Sequence, residues 1–285
     1  GVDTVTVNDG AATAQEGALL AGFTADVHFD VADDVSDLKA VMGQNDAASY
    51  LTEANTITVD NDGLGDRVVG ANDGAILASF TADVDFDVVD SAQAIATELS
   101  AHGAGSLDEA ADVVASGSIV DAEDAAAIMQ ISEYNTAGSQ FEISDDVASV
   151  ISAGSGVIEN GGVSKVTVTD VADVSEGVAL NSYSANVEFD VQGTADAIAA
   201  NATNLGKADD VVVSGGDVTI TEAQSIQGLS GYNASASAYE IEDSAANITA
   251  SNDQLMQNGN IHVDVTDTDV NASVGADLAA FTADI

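Results

Sequence analysis

The sequence predicts an α/β fold of stacked β-α-β-α repeats with parallel strands, a solenoid. Three observations predict it. A stretch clearest as FTADVDFDVVDSAQAIATEL (80–99) recurs as degraded copies at 23–41, 134–152, 183–201 and 232–250, and a truncated copy, FTADI, begins at Phe281. The leading aromatics, Phe23, Phe80, Tyr134, Tyr183, Tyr232 and Phe281, are spaced by 57, 54, 49, 49 and 49 residues. A fixed period of this size marks repeat architectures. Within each copy the hydrophobic period switches from two to that of a helix.

The strand of each copy is an alternation such as Asp83-Val84-Asp85-Phe86-Asp87-Val88, which places one face in a core and the other in solvent. Two residues past the last aliphatic comes Asp33, Asp90, Asp145 or Asp243, with Gly193 in the fourth copy. These aspartates are expected to be helix N-caps. Leu38, Ile95, Val150, Ile198 and Ile248 follow five residues later as the expected buried helix face, extended by Val35, Val41 and Met42 in the first copy and by Ala202 and Leu205 in the fourth.

Between copies lies a second strand–helix unit. Val5-Thr6-Val7, Val166-Thr167-Val168, Val218-Thr219-Ile220 and Ile261-His262-Val263 read as its strands, and the unit near Ile119-Val120 is the least distinct. Apolar pairs such as Leu19 and Phe23, Val174 and Val178, Ile226 and Leu229, or Val274 and Leu278 read as its helix faces. Gly103-Ala104-Gly105, Gly154-Ser155-Gly156, Gly161-Gly162 and Gly215-Gly216 are expected at helix-to-strand turns. The chain therefore divides into one continuous array with periods near 1–55, 56–112, 113–162, 163–210, 211–259 and 260–285. Successive strands fall either in one sheet or in two. The opened last repeat is expected to be continued by further repeats or by a neighbouring copy.

Composition narrows the function. Four basic residues against 49 acidic ones give a formal charge of −45, which excludes nucleic acid and anionic membrane as electrostatic partners. Asp outnumbers Glu by 36 to 13; Asp favours turns, caps and oxygen-ligand cation sites. The absence of Cys removes disulfide and thiolate chemistry. No apolar run approaches the length of a membrane span.

Two constellations are candidate cation sites. With Val84, Phe86 and Val88 inward, Asp83, Asp85 and Asp87 point outward, as do Glu188 and Asp190 in the fourth copy. If stacking set such acids in ladders about 4.8 Å apart, each adjacent pair would cost about 0.9 kcal/mol even in water. Bound cations relieve that repulsion; a plain solvated acidic face is the competing account. The second is Asp60-Asn61-Asp62-Gly63-Leu64-Gly65-Asp66, where Asp60, Asp62 and Asp66 offer oxygen ligands for calcium, against an ordinary polar turn. The three histidines lack any local catalytic signature. Sequons begin at Asn201, Asn233, Asn247 and Asn271.

The pattern [Phe/Tyr]-x-[Ile/Val]-x-Asp-[Ser/Thr]-Ala-x-x-[Ile/Leu], clearest in YEIEDSAANI (239–248), resembles repeats of very large secreted bacterial surface proteins of the hemolysin-like surface-layer, adhesin and matrix type. That resemblance implies an extracellular structural role, dependence on calcium and export without a cleaved N-terminal signal. The glycine-rich calcium nonapeptide of such proteins is missing here. The expectation is a non-enzymatic segment of a surface layer, filament or adhesive stalk, located outside the cell, whose partners are its own copies or further repeats. The alternatives are a module binding cell-surface glycan and a solenoid polysaccharide hydrolase. The latter would have only Lys39, Arg67, Lys165 and Lys207 to hold an acidic substrate.

Overall fold

A computed structural model describes residues 4–7, 10–23, 26–42, 51, 53–79, 83–251, 253–256 and 260–280. The expectations for Phe80, Phe281, the opening residues before Thr4 and the side chain of Met42 lie outside the described residues. The chain falls into two compact units: Gly1–Ile143 with Asn160–Ser164, and Ser144–Glu159 with Lys165–Ile285.

In the first unit strands and helices alternate. The order is β1 (Thr4–Thr6), helix Ala14–Ala21, β2 (Asp26–His28), β3 (Asp30–Asp33), helix Val35–Met42, β4 (Thr56–Val59) and β5 (Val68–Val69). Helix Ala71–Ala78, β6 (Val84–Asp85), β7 (Asp87–Ser91), helix Ala92–His102, β8 (Asp112–Val120), helix Ala122–Ile128 and β9 (Gln140–Asp145) complete it, β9 ending in the second unit. In the second unit follow helix Val147–Ala153, β10 (Val163–Ala172, from Lys165 onward), helix Val174–Ser182, β11 (Val187–Gly193), helix Ala195–Asn201, β12 (Asp210–Val218), helix Ile220–Gln227, β13 (Ala238–Asp243), helix Ala245–Ala250, β14 (Asn260–Val265) and helix Ala272–Leu278.

Every strand pairing among the described residues of each unit is parallel. In the second unit the order β10-β11-β12-β13-β14 follows the chain. Each half-period thus supplies one strand to a common sheet, which decides between one sheet and two there. In the first unit β4 pairs with both β3 and β6, while β5, β7, β8 and β9 pair in series.

The alternation expected of the copies is present. Phe29, Phe86, Phe141, Phe189 and Tyr239 are at most 4% exposed, and Leu38, Ile95, Val150, Ile198 and Ile248 are all at 0%. Each of these five strand–helix units therefore buries one aromatic from the strand and one aliphatic from the helix, and such burial stabilises the fold.

The aspartates ending the strands are not the N-caps. Helices begin one residue later, at Asp34, Ser91, Asp146 and Ser244, whose side chains accept from the amides of Asp37, Ala94, Ser149 and Asn247. The strand ladder extends one residue past the position where the sequence pattern ends it, which shifts the cap. Asp33, Asp90 and Asp243 do two jobs instead. Their Oδ1 accepts from the next amide in the chain, at 3.0, 2.7 and 2.7 Å. Their Oδ2 reaches the first amide of the preceding helix, at Ala14, Ala71 and Ile220, at 2.9, 3.0 and 3.1 Å. Asp170 and Asp267 reach Val147 and Ala245 in the same way, at 2.7 and 2.6 Å. Asn61 Oδ1 does so for Val35 at 3.2 Å. Orphan helix amides are thus satisfied from the neighbouring strand.

Helices Ala14–Ala21, Ala71–Ala78 and Val174–Ser182 approach the sheet through a glycine; of the expected apolar pairs, Val174 and Ile226 are buried. Leu19 and Phe23 are 71% and 64% exposed. The buried residues of Ala14–Ala21 are Ala14 and Gly17, and those of Val174–Ser182 are Val174, Gly177 and Leu180. A small residue at the contact lets the helix sit close over Phe29 and Val31, or over Val191.

Strands β8, β10 and β12 each carry a bulge, where register slips between Ser116 and Ile119, Thr167 and Val171, and Ser214 and Asp217. Gly215 and Gly216, expected at a helix-to-strand turn, instead form the bulge of β12 with φ +82° and +99°. Gly117 and Ser118 serve β8 with φ +56° and +62°. The segment expected to be a strand around Val218-Thr219-Ile220 is a boundary: β12 ends at Val218, and Thr219 caps the helix with Glu222 in a capping box. Before β9 and β13, Ser139 and Ser237 are buried at 6% and 0% and accept from the amides of Ala115 and Val213, each at 3.0 Å. Ser237→Ala is expected to cost about 1–3 kcal/mol by leaving a buried amide unpaired. Urea denaturation of the variant measures this, and an unchanged midpoint would contradict it.

Candidate functional site

The outer strand face carries the candidate residues. Asp83 and Asp85 are exposed, Asp87 and Glu188 half-buried and Asp190 exposed, while Val84, Phe86, Val88, Phe189 and Val191 are buried beneath them. The expected continuous ladders of acid do not form. Because second-type strands intervene, Asp26 faces Thr4, Asp30 faces Thr56, Asp85 faces Thr58 and Glu188 faces Thr167. Neutral hydroxyls thus stand between like charges at these four positions. Acids meet in register at Asp87–Asp112, Asp190–Asp210, Asp217–Glu240 and Glu242–Asp264. Asp112, Asp210 and Asp217 were missed in the sequence because β8 and β12 open on Val-Val runs without alternation.

Protein cations cover part of the face. Arg67 reaches Asp85 at 2.5 Å and Asp87 at 3.1 Å, and Lys165 lies 2.9 Å from Glu188. Lys39 pairs with Asp73, and Lys207 donates to the Tyr183 carbonyl. Asn135 and Asn233 donate to Asp112 and Asp210, each at 3.0 Å. The Asp190 carboxyl is pushed up by burial, then by the charges of Asp210 and Asp209. Glu240, hydrogen-bonded to Asp264 and near Asp217, is likewise raised.

The loop 60–66 is drawn together by its own amides. Asp60 Oδ1 accepts from Gly65 at 2.9 Å, Asp62 Oδ1 from Leu64 at 2.8 Å and Asp66 at 3.3 Å, and Asp66 Oδ1 from Val68 at 3.1 Å. Gly63 and Gly65, at φ +69° and +93°, allow the turns. The three carboxylates are spread around the loop. Among the described residues, the groups whose three ligand atoms lie within 4.8 Å of one another are Glu240–His262–Asp264 and Asp33–Asp34–Asp37. Two of the latter carboxylates are occupied with helix amides.

His28 faces outward, 3.3 Å from Asn55 and 3.5 Å from Asp26. His102 ends helix Ala92–His102, where it pairs with Glu98. Surface depressions of about 460 and 330 Å³ in the first unit hold Glu16 and Glu142, and one of about 430 Å³ in the second holds Glu176. None of these three brings two carboxylates together. Comparison with family models, with curated proteins and with solved structures returned no match. No helix among the described residues is long and apolar enough to cross a membrane.

Proposed function

We propose that this chain is a structural, non-catalytic segment of an extracellular repeat protein, a solenoid that contributes to a surface layer, filament or adhesive stalk. The observation that carries the reading is the lateral tie. In six helices a polar residue in or just past the following strand holds the first amide, at Ala14, Val35, Ala71, Val147, Ile220 and Ala245. Such a joint ties each helix to the next strand–helix unit, as a stacked array requires. The acidic outer face stays soluble and is screened by external cations, calcium foremost. Copies of the chain, or further repeats, are its partners. Immunogold labelling of intact source cells tests the placement: label on the surface is expected, and label confined to the interior would overturn it.

The cation part has its own test. Forty-nine acids repel more in the folded chain than in the expanded one, so Tm should rise with sodium chloride. It should rise further with calcium at matched ionic strength. A Tm insensitive to chelator, salt and calcium alike would refute the screening argument, and equal effects at matched ionic strength would refute a specific calcium role.

A further inference from the structure

The outer face of β12–β14 differs from the rest of the acidic surface in its composition and its regularity. At some other positions a hydroxyl or a basic side chain stands beside the acid, as Thr167 and Lys165 stand beside Glu188. Here the register reads Asp217, Glu240, His262 across three strands, with Asp264 two residues beyond His262 on the same face. The four Lys and Arg residues are engaged at other places, with Asp73, Asp85, Asp87, Glu188 and the Tyr183 carbonyl. Two carboxylates, Glu240 and Asp264, therefore flank one imidazole. The β13–β14 pairing that holds them runs unbroken from Ala238–Asn260 to Asp243–Val265, without the bulge that interrupts β12–β13.

We propose that Glu240, His262 and Asp264 form a surface site for a divalent transition-metal ion of the zinc class, distinct from any calcium bound by the acidic face. The ligand atoms of the three residues lie within 4.8 Å of one another, and His262 Nε2 is 3.3 Å from Asp264 Oδ1. Small rotamer adjustments bring such atoms to the roughly 2.0–2.2 Å metal distances of nitrogen and carboxylate ligands. The imidazole decides the class. Calcium and magnesium take oxygen ligands, whereas borderline metals accept nitrogen and carboxylate together. Directly opposed residues on neighbouring strands, plus one at the next outward position, present three ligands from one side. The remaining coordination positions face water, where Glu240 and Asp264 are half-buried to exposed.

Calorimetric titration of the full 285-residue chain with zinc chloride, in about 0.15 M sodium chloride to screen diffuse binding, tests the site. One zinc per chain is expected above the diffuse background. His262→Gln should weaken it by at least about tenfold, Asp264→Asn should do likewise, and Asp83→Asn should leave it unchanged. Calcium in excess should not displace the zinc. In the wild-type protein alone, the His262 imidazole resonance should shift ahead of those of His28 and His102, so the outcome does not depend on a variant folding. Equal zinc binding by wild type and His262→Gln, simultaneous movement of all three imidazoles, or displacement by calcium would each overturn the proposal.

Discussion

Gly177→Ala is expected to destabilise the second unit by up to about 2 kcal/mol, although alanine is the better helix former. A Cβ at this position would lie 2.6 Å from Val191 Cγ2 and 3.1 Å from Leu205 Cδ2, well inside van der Waals contact. Val191 and Leu205 are 0% and 1% exposed, so neither can swing into solvent. Overpacking of this kind costs about 1–3 kcal/mol, against a propensity gain of about 1 kcal/mol; the clash wins. Gly17 and Gly74 share the geometry, at 2.8 Å from Val31 Cγ2 and 2.7 Å from Val88 Cγ2. Gly275 is the control. It too lies within a helix, but its nearest neighbour would be Val270 Cγ2 at 3.9 Å, so Gly275→Ala should stabilise by about 0.5–1 kcal/mol. Urea denaturation of the two variants reads the contrast. Midpoints moving in the same direction would contradict the close-approach argument.

Asp243→Ala is expected to cost about 2–3 kcal/mol, because one carboxylate serves two helix N-termini. It accepts from Ile220 of one helix at 3.1 Å, and from the Ser244 amide and the Asn247 side chain of the next at 2.7 Å each. Burial pushes the Asp243 carboxyl up, but hydrogen bonds from Asn247, Ser244 and Ile220 outweigh it and hold it below its ordinary value. A depressed carboxyl stabilises the fold fully above its unfolded pKa, about 3.9, and loses that contribution as pH falls through the folded value. The gap between wild type and Asp243→Ala should therefore narrow in acid. Denaturation at neutral pH and again below the unfolded pKa would measure this, and a gap that is constant across the range would refute the tie. Asp243→Asn, which keeps an acceptor, should lose less.

The first-type units were legible in the sequence because their physics is local. Alternation around Phe29, Phe86, Phe141, Phe189 and Tyr239 marks a strand buried on one face, and the aliphatic at fixed distance marks its helix. What could not be read was lateral. Whether Asp243 caps its own helix or the preceding one depends on which strand lies beside which, and no spacing along the chain encodes that. The Val-Val runs at 113–114 and 211–213 belong to strands β8 and β12 without alternating, so periodicity passed over them. Gly215-Gly216 carries the same composition as a turn and differs only in continuing the strand afterwards. The outer face followed from this. With one sheet or two left open, acidic ladders were expected at positions where threonines of the intervening strands stand. His262 was legible as an outward residue, yet its nearness to Glu240 required the β13–β14 register.

The bulges have a further consequence. Register slips across Gly117-Ser118 in β8 and across Gly215-Gly216 in β12, whereas between β4 and β5 the whole segment 60–67 intervenes. β4 and β5 nevertheless pair with β6 and β7 in parallel, with Ile57 opposite Val84 and Val68 opposite Asp87. Two residues or eight, the ladder resumes on the far side. Length is thus decoupled from register at one recurring point of the second-type strand. An added segment at that point leaves parallel pairing intact on both of its sides, as 60–67 does between Ile57–Val84 and Val68–Asp87.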